Sequence, residues 1–465
     1  MKVLIAVSAT LIATSAFAMS IEDYMKEVAK KNKIITSYDL SIEASREKQI
    51  AGDLTLAPIL TAGYSLQSDK SLPNAVADKR DTTTTTLGLS KKFSTGTTLG
   101  VNAETYKYEY DQPVTVGNNG YSNGRLGLSL QQSLWKDSFG TATRLRQSRD
   151  ASTAKLEVYG NELKKRAALI QAESDFWDYL VAQEDVKLKK ANLERAKKLE
   201  TWTSNRVYNG ISEQAELLQI KALVSRRELE LNTAVDDLEA RAIKIRENLD
   251  LAQAEPVPTF TSDLAETRPY VSELTKQKNV IKIENYLTQL EAEVKQTVAE
   301  EANDALKPDL SLIGRYSTSS YDLDHSTMQN NLTKTDRPVT YVGLSFSWMF
   351  GADAVSAQRS STKKEAVAAK SRAEQAKLVG ENAWTDHLRR YELTKQNVKT
   401  LEKIVKLQTE RSRQEQIRFS KGRTITSNVV TAETDSAEAE VTYLRAKSGL
   451  RKLEAATLQF ISISE

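Results

Sequence analysis

The sequence lacks the residue types that common catalytic and metal sites require. Its 465 residues contain no cysteine and only two histidines, His325 and His387. The lack of cysteine excludes disulfides, thiolate metal sites, thiol catalysis and lipidation of a cysteine. Two distant histidines argue against a histidine-built metal centre or a Ser-His-Asp triad. Because no phosphate-binding loop is present either, we predict that the protein is not an enzyme and has no catalytic, cofactor-binding or metal-binding residues.

Excess charge and long apolar runs are also missing. The chain has 65 Lys+Arg against 62 Asp+Glu, so no global positive field favours nucleic acid, and we predict no nucleic-acid partner. A hydrophobic content of 40% argues against a disordered chain. Beyond the N-terminus no run of 18 apolar residues occurs, so no transmembrane helix is predicted.

The first 18 residues are predicted to be a secretory signal peptide. Lys2 precedes the apolar run 3–18, which ends in Ala16-Phe17-Ala18. A charged start, an apolar stretch and small residues before the cleavage site are typical of such signals. A buried N-terminal helix is the alternative. Cleavage would leave Met19 first, and we expect an exported protein that is either soluble or a β-barrel.

Proline is scarce, and its distribution separates predicted helices from predicted strands. The chain has 8 prolines, none of them between 114 and 255 and none after 338. Because proline breaks helices, and because these stretches are rich in Ala, Leu, Glu, Lys and Gln, they are predicted to form long helices. The segments 59–135 and 309–350 are rich in Thr, Ser, Gly, Tyr and Asn and alternate in polarity, which predicts strands.

This succession of segments occurs twice, which indicates an internal repeat. Four pairs of short motifs occur in the same order in both halves: LAPIL 56–60 and LKPDL 306–310, GLSL 127–130 and GLSF 343–346, FG 139–140 and FG 350–351, RVYNG 206–210 and RFSKG 418–422. We predict a first repeat at 19–250, a linker at 251–269 and a second repeat at 270–465. Each repeat is predicted to contain a helix, a β segment, a long helix, a tight turn and a shorter helix.

The predicted helices are too long for an ordinary globule. Their expected ranges are 21–55, 141–205, 213–250, 270–305, 352–417 and 426–459. A helix of about 65 residues is on the order of 100 Å long. Leu156, Leu163, Ile170 and Trp177 recur every seventh residue, which predicts antiparallel coiled-coil packing. Periodicity alone leaves an ordinary coiled-coil bundle open.

The β segments favour a membrane barrel. Apolar and polar residues alternate over about ten residues, as in transmembrane barrel strands. The residues predicted to face lipid are Leu126, Leu128, Leu130, Val342, Leu344, Phe346 and Trp348. A soluble sandwich remains the alternative for each single strand. One chain has too few strands to close a barrel, and open edges cannot face lipid.

The whole mature chain resembles the outer-membrane efflux protein family, the TolC-like channels. The resemblance is carried by the two repeats, QSLWKDSFG at 132–140, Phe176-Trp177 and the two Arg-[Val/Phe]-x-x-Gly turns. It implies a mainly α fold with a β-barrel part. In this fold a long antiparallel coiled-coil α-helical barrel forms a periplasmic tunnel. A transmembrane β-barrel, usually of twelve strands, is completed by trimerisation in the cell outer membrane.

The resemblance also implies a function and partners. The expected role is a passive exit duct of a tripartite efflux or type I secretion system, acting as a homotrimer in outer-membrane lipid. Its expected partners are a periplasmic adaptor protein and an inner-membrane RND or ABC transporter. An outer-membrane component dedicated to type I protein secretion is one alternative, and an exported coiled-coil scaffold without a channel is another. The sequence names neither the cargo nor the pump.

In family members the two helical turns form the periplasmic mouth, where the adaptor docks and the tunnel closes. The corresponding residues here are Arg206, Gly210, Glu213, Glu216, Arg418, Gly422, Arg423, Asn428 and Thr431. Glu216 lies six residues past its turn glycine, where family members often carry a pore-facing acid, whereas its repeat mate is Asn428. Three copies of Glu216 would form an acidic ring that concentrates cations. Alternatively, Glu213 and Glu216 are first-turn acids behind a Ser212 cap. The arginines could pair with these acids across subunits or be solvated.

The first β segment is longer than the family pattern requires. It contains a further predicted hairpin, 82–110, with a turn at Ser94–Thr97. Two placements remain open from the sequence: the hairpin either adds strands to the barrel or extends outside the cell.

Overall fold

The structure is a computed structural model that describes residues 19–71, 77–111, 113, 118–261, 263–264, 267–334 and 337–462. The predicted signal peptide lies outside these residues. The chain divides into two compact units. The helical unit takes its described residues from 1–42, 159–286 and 376–465, and the sheet unit from 43–158 and 287–375. Each unit therefore contains segments of both predicted repeats.

Long helices dominate, as the proline-free stretches predict. The helices are α1 (Ile21–Lys31), α2 (Lys33–Ala51), α3 (Thr141–Tyr208), α4 (Gln214–Asn248), α5 (Tyr270–Leu274), α6 (Ile283–Ala305), α7 (His325–Asn330), α8 (Ala352–Ser420) and α9 (Thr426–Ala456). The longest, α3 and α8, have 68 and 69 residues. Among the described helices, none combines the length and apolarity needed to cross a membrane.

Two of the predicted helices are interrupted. The expected helix 21–55 breaks at Asn32, whose ψ of 114° is extended and whose side-chain Oδ1 accepts the Ile34 N–H at 3.0 Å. The expected helix 270–305 ends at Leu274 and resumes at Ile283. Between these two helices Asn279 has a left-handed φ of 54°, and a short strand follows. Neither break coincides with a proline, which is why the sequence pattern missed them.

The sheet unit contains one six-stranded antiparallel sheet in the order β1-β2-β3-β4-β6-β7. The strands are β1 (Ile59–Asp69), β2 (Lys79–Lys92), β3 (Thr97–Asp111), β4 (Gly120–Ser133), β6 (Asp309–Asp322) and β7 (Pro338–Ser347). The strands β5 (Val280–Lys282) and β8 (Phe460–Ser462) form a separate pair in the helical unit. The additional hairpin is therefore β2–β3, and both of its strands belong to the sheet, between β1 and β4.

The core of the helical unit forms where α1 packs on the long helices. Ser20 caps α1 by accepting the Asp23 N–H on its Oγ at 3.1 Å. The buried aromatic side chains of Tyr24 and Phe176 lie 5.0 Å apart between ring centroids, and Trp177 packs edge-on against Phe176 at 5.2 Å. Such contacts stabilise this core beyond simple area burial.

Candidate functional site

Two tight turns join the long helices, α3 to α4 and α8 to α9, and we call these turns the first and second tip. In the first tip, residues 206–213, Gly210 has a φ of 68°. Its N–H donates to the Val207 carbonyl at 3.0 Å, and the Ile211 N–H donates to the Arg206 carbonyl at 2.8 Å. This pair of bonds is a Schellman motif, and glycine tolerates its left-handed conformation without steric strain.

The second tip, residues 418–425, repeats this backbone geometry. Gly422 has a φ of 70°. Its N–H donates to the Phe419 carbonyl at 2.9 Å, and the Arg423 N–H donates to the Arg418 carbonyl at 2.8 Å. Arg206 and Arg418 therefore occupy equivalent positions in two equivalent turns.

Arg206 connects the two tips. Its Nε donates to Ser212 Oγ at 3.0 Å and its Nη1 donates to the Phe419 carbonyl at 3.1 Å. The guanidinium also lies 4.9 Å from the centre of the Phe419 ring, within cation–π range. Ser212 is not the helix cap, because α4 begins at Gln214 and Glu213 is its N-cap residue, which makes no side-chain capping bond.

Glu216 adds a second link between the tips. Its side chain is half-buried, and its Oε2 accepts the hydroxyl of the buried Thr426 at 3.1 Å. Its repeat mate Asn428 is exposed and donates to Thr424 Oγ1 at 3.2 Å. Thr431 is exposed and bonds the Ser427 carbonyl of its own helix at 2.9 Å. Glu216 is therefore held by the opposite tip, whereas the bond of Asn428 lies within its own tip.

The two arginines of the second tip differ from Arg206. Arg418 pairs with Glu415 of its own helix at 2.8 Å. Arg423 is exposed, and its side chain makes no hydrogen bond or ion pair within the described part of the chain. The structure thus brings together Arg206, Gly422 and Glu216, and it leaves Glu213, Arg418, Arg423, Asn428 and Thr431 at the surface.

An apolar cluster beneath the tips holds four helices together. Its buried members are Leu193, Ala196, Leu199, Ile220, Leu223, Val224, Phe419 and Val429. Phe419 is the largest of them and is 1% exposed. It therefore has two roles: its ring fills the cluster, and its carbonyl and ring face receive Arg206.

Sequence reasoning missed a buried carboxylate further along α9. Glu433 accepts the Ser412 hydroxyl at 2.7 Å, the Arg195 Nε at 3.2 Å and the Gln416 amide. The bonds join α3, α8 and α9. Nothing in the sequence pattern distinguishes Glu433 from a solvated glutamate.

A second missed cluster lies near the other end of the helical unit. Glu173 is fully buried, 3.4 Å from the Arg268 Nε, and accepts the Trp177 indole N–H at 3.4 Å and the Tyr270 hydroxyl at 3.3 Å. Burial raises the pKa of Glu173, the charge of the nearby Glu454 adds to this, and Arg268 opposes it. Trp177 contributes to the family resemblance, yet its partner one helical turn earlier carries no sequence signal.

The sheet presents one continuous apolar face. Cross-strand register places Leu60, Leu89, Val101, Leu128 and Tyr316 in one row. The side chains of Leu128 and Leu344 are 58% and 69% exposed. Such an exposed apolar band is large for a surface in contact with water.

The residues predicted to face lipid share this face, with one exception. Leu126, Leu128 and Leu130 on β4 have the same parity as Val342, Leu344 and Phe346 on β7, through the register of β6. Trp348 is the exception, because β7 ends at Ser347 and Trp348 packs on Phe350 at 4.7 Å in the segment that follows. An aromatic residue just past the strand end still suits an interfacial position.

The opposite face of the sheet is polar and carries small residues together with a cluster of tyrosines, Tyr106, Tyr108 and Tyr121. Gly127 lies against Asn102 and Ser317 so closely that an added Cβ would be 2.9 Å from Asn102 Oδ1. Gln132 interrupts the apolar alternation of β4 for a local reason. It accepts the Thr97 hydroxyl at 2.5 Å and donates to the Thr95 carbonyl at 3.1 Å, which ties β4 to the turn between β2 and β3.

Comparison with solved structures finds the same fold in outer-membrane channels. The outer-membrane channel OprN matches with a TM-score of 0.65 at 17% identity, over 94% of this chain and 89% of that one. The outer membrane protein VceC of Vibrio cholerae matches with a TM-score of 0.67 at 12% identity, over 94% and 96%. The MtrE outer membrane channel of Neisseria gonorrhoeae matches with a TM-score of 0.63 at 15% identity, over 95% and 88%.

Sequence comparison adds nothing to this likeness. No family model matches the chain, and no curated protein matches it. The predicted resemblance to TolC-like outer-membrane channels is confirmed at the level of the fold, with its combination of long helices and a sheet.

Proposed function

We propose that this protein is a passive exit duct in the cell outer membrane, and that three copies of the chain form it. The observation that carries the proposal is the exposed apolar face of the six-stranded sheet. The two outer strands of this sheet, β1 and β7, lack an outer neighbour among the described strands. The likeness to outer-membrane channels over 94% of the chain supports the same role.

The physical argument concerns what can cover this sheet. Lipid favours an apolar strand face, and in lipid every backbone N–H and C=O group must find a partner. The edges of β1 and β7 must therefore pair when the sheet enters a bilayer. Neighbouring copies supply this pairing if the sheets join edge to edge into a barrel.

The duct needs partners that supply energy, because the sequence contains no phosphate-binding loop. We propose that a periplasmic adaptor docks at the two tips and that an inner-membrane RND or ABC transporter loads the channel. In this arrangement the complex serves efflux or type I secretion. The exposed side chains at the tips, among them Arg418 and Arg423, are the surface offered to the adaptor.

The test uses two neighbouring residues on opposite faces of β7. Leu344→Lys places a charge on the apolar face, where we expect a cost of about 2–4 kcal/mol at the bilayer midplane. Trimer recovered from outer-membrane fractions should fall accordingly. Ser345→Lys is the matched control, because it adds the same charge on the polar face and should leave assembly intact.

Planar-bilayer recording then separates a duct from an exported scaffold. The purified trimer should conduct ions, and Ser345→Lys should shift its ion preference toward anions. A monodisperse, water-soluble monomer that tolerates both substitutions equally would overturn the proposal in favour of the scaffold.

A further inference from the structure

The hairpin β2–β3 changes the number of strands that each copy contributes. It lies in the middle of the sheet, and β2 pairs with β3 along the full length of 79–92. We infer that three copies close a barrel of eighteen strands instead of the twelve expected from the resemblance, and that the wider barrel passes a bulky, hydrated cargo. This inference rests on the proposed duct.

The turn of the hairpin is built into the wall of the sheet. Lys92 pairs with Asp137 at 2.8 Å, and the Ser133 N–H donates to the Gly96 carbonyl at 3.3 Å. A Cβ on Gly140 would lie 1.8 Å from the Ser94 carbonyl oxygen, so the two backbones touch. The turn is thus fixed at the end of the sheet where α3 begins. A hairpin that extended outside the cell could not make these contacts.

Asp137 organises this junction. Besides Lys92, it accepts the Thr143 N–H at 2.9 Å and the Thr143 hydroxyl at 2.7 Å, while its own N–H donates to Asp304 at 2.8 Å. Burial tends to raise the pKa of Asp137, but the bonds from Lys92 and Thr143 outweigh burial and hold the pKa below its usual range. The hairpin turn therefore has a dedicated anchor.

The inserted strands also continue both faces of the sheet. Leu89 and Val101 extend the apolar row between Leu60 and Leu128. On the polar face, Gly88 stands opposite Asn102, and Gly100 stands opposite Ser129. Strands with an apolar outer face and a polar inner face suit the wall of a water-filled barrel.

The two edges of the sheet fit a second copy of this chain. β1 has 11 residues and β7 has 10, both exposed over nearly their whole length. Every neighbouring pair in the six-stranded sheet is antiparallel, so β1 and β7 run in opposite directions. β1 of one copy can then pair antiparallel with β7 of the next, and this head-to-tail contact closes a ring. Six strands from each of three copies give eighteen strands.

The consequence is a wider exit. Barrel diameter grows about linearly with strand number, so eighteen strands give roughly one and a half times the diameter of twelve. Barrels of 16–18 strands leave an aqueous channel. β2 and β3 place polar residues on the inner face, among them Thr84, Asn102 and Tyr106, and a wide polar channel favours a large hydrated cargo over a small apolar one.

Engineered cysteine pairs test the strand order. The chain has no native cysteine that could form a competing disulfide. Ala62 faces Leu87 across β1 and β2, whereas two strands separate it from Leu126. A disulfide requires Cα atoms about 4.4–6.8 Å apart, and two intervening strands exceed that limit. Ala62→Cys with Leu87→Cys should therefore cross-link within one chain. Ala62→Cys with Leu126→Cys should not.

A second set of pairs tests the ring. Ala62→Cys combined in turn with Thr340→Cys, Val342→Cys or Leu344→Cys covers the possible registers of β1 against β7 of the next copy. At least one pair should give covalent trimers on a denaturing gel. A cross-link of Ala62→Cys to Leu126→Cys in the trimer would overturn the eighteen-stranded barrel, because β1 would then pair directly with β4.

The width itself is measured in planar bilayers with neutral polyethylene glycols of graded size. Replacing residues 70–119 by an Asn-Gly turn joins β1 to β4 and restores four strands per copy. We expect this variant to conduct about twofold less and to exclude smaller polymers, since cross-section scales with the square of diameter. If the variant does not assemble, the cross-links still decide the strand order. If the Ala62–Leu126 cross-link forms and the intact trimer still conducts, the proposed duct stands and the eighteen-stranded barrel is wrong. If the trimer does not conduct, both proposals are wrong.

Discussion

The two tips have the same backbone and different side-chain roles. Gly210 and Gly422 adopt φ values of 68° and 70° in the same Schellman motif. At the first tip Arg206 crosses to the opposite tip and binds the Phe419 carbonyl. At the second tip Arg418, in the equivalent position, pairs within its own helix, with Glu415.

This difference shows how a repeated motif can divide its tasks. The glycine sets the turn in both tips, so the backbone geometry follows from the sequence motif. The position after the arginine decides the rest: it is the buried Phe419 in the second tip and the half-buried Val207 in the first. Phe419 offers both a ring and a carbonyl to Arg206, and Val207 offers no ring to Arg418.

The largest effect expected at the tips comes from Phe419. Phe419→Ala should destabilise the four-helix cluster by about 3–5 kcal/mol, because it removes a fully buried ring and leaves a cavity. Val207→Ala at the equivalent position should cost no more than about 1 kcal/mol, since Val207 is only half-buried. Amide hydrogen exchange in α4 and α9 measures the local stability of both variants. Equal loss of protection in the two variants would contradict the division of tasks.

Of the two equivalent arginines, Arg206 should contribute more to stability than Arg418. Arg206→Ala removes a charge-assisted bond to a carbonyl and a cation–π contact, and we expect a cost of about 1–2 kcal/mol. Arg418→Ala removes an exposed pair within one helix, which is worth about 0.3–0.5 kcal/mol. Exchange of the tip amides compares the two variants directly. A larger effect for Arg418 would mean that the bond across the tips does not hold them together.

The two tips also show what the sequence could and could not predict. Both turn glycines are evident from the Arg-x-x-x-Gly motif, because a left-handed residue at the end of a long helix favours glycine. The partner of Arg206 is not evident, since it depends on which helices lie side by side. For the same reason Glu173 and Glu433 could not be distinguished from surface glutamates: their burial follows from packing between segments far apart in sequence.

In the sheet, too, local features could be predicted from the sequence and non-local ones could not. Alternation along β4 and β7 identified the apolar face, because alternation is a local property of a strand. The placement of the hairpin 82–110 stayed open, since strand order depends on non-local pairing. The anchor at Asp137 and Lys92 decides it, and those residues are 45 positions apart. The break at Asn32 was missed because its cause, a side-chain bond to a backbone N–H, involves neither proline nor glycine.

The two glycines should respond alike, which sharpens the comparison. Gly210→Ala and Gly422→Ala each force a Cβ into left-handed backbone, at a cost of roughly 1 kcal/mol. No steric clash adds to this cost at either position. At Gly422 the nearest described atom is the Arg206 Nη1, 3.9 Å from the added Cβ, and at Gly210 no described atom lies within 4 Å. Gly160→Ala inside α3 is the matched control and should instead stabilise the protein by about 0.5–1 kcal/mol. Thermal unfolding of the three variants gives the signs.

Glu216 and Asn428 offer a functional form of the comparison in the proposed trimer. Glu216→Gln removes the charge while keeping an oxygen for the Thr426 hydroxyl, so cation preference should fall with little change in stability. Asn428→Asp adds a carboxylate at the equivalent exposed site, and cation preference should rise. Reversal potentials under a salt gradient measure both changes. If Glu216→Gln leaves the potential unchanged, the carboxylate serves only to join the two tips.

The smallest effect is expected at Arg423, and it concerns gating. Arg206 already bonds within its own chain through Nε and Nη1, which leaves less of its guanidinium for Glu216 of a neighbouring copy. Arg423 is exposed, and its side chain makes no hydrogen bond or ion pair within the described residues, which makes it the better candidate for such a pair. Arg423→Ser should then raise the open probability of the trimer. Exposed ion pairs are worth about 0–1 kcal/mol each, so three symmetric copies would bias the mouth without locking it.

Arg418→Ser is the control, because Arg418 is already paired with Glu415. Recording at low salt, where screening is weakest, gives the clearest signal. An equal rise in both variants would point to loss of net positive charge at the tips, and no rise in either would assign closure to other residues.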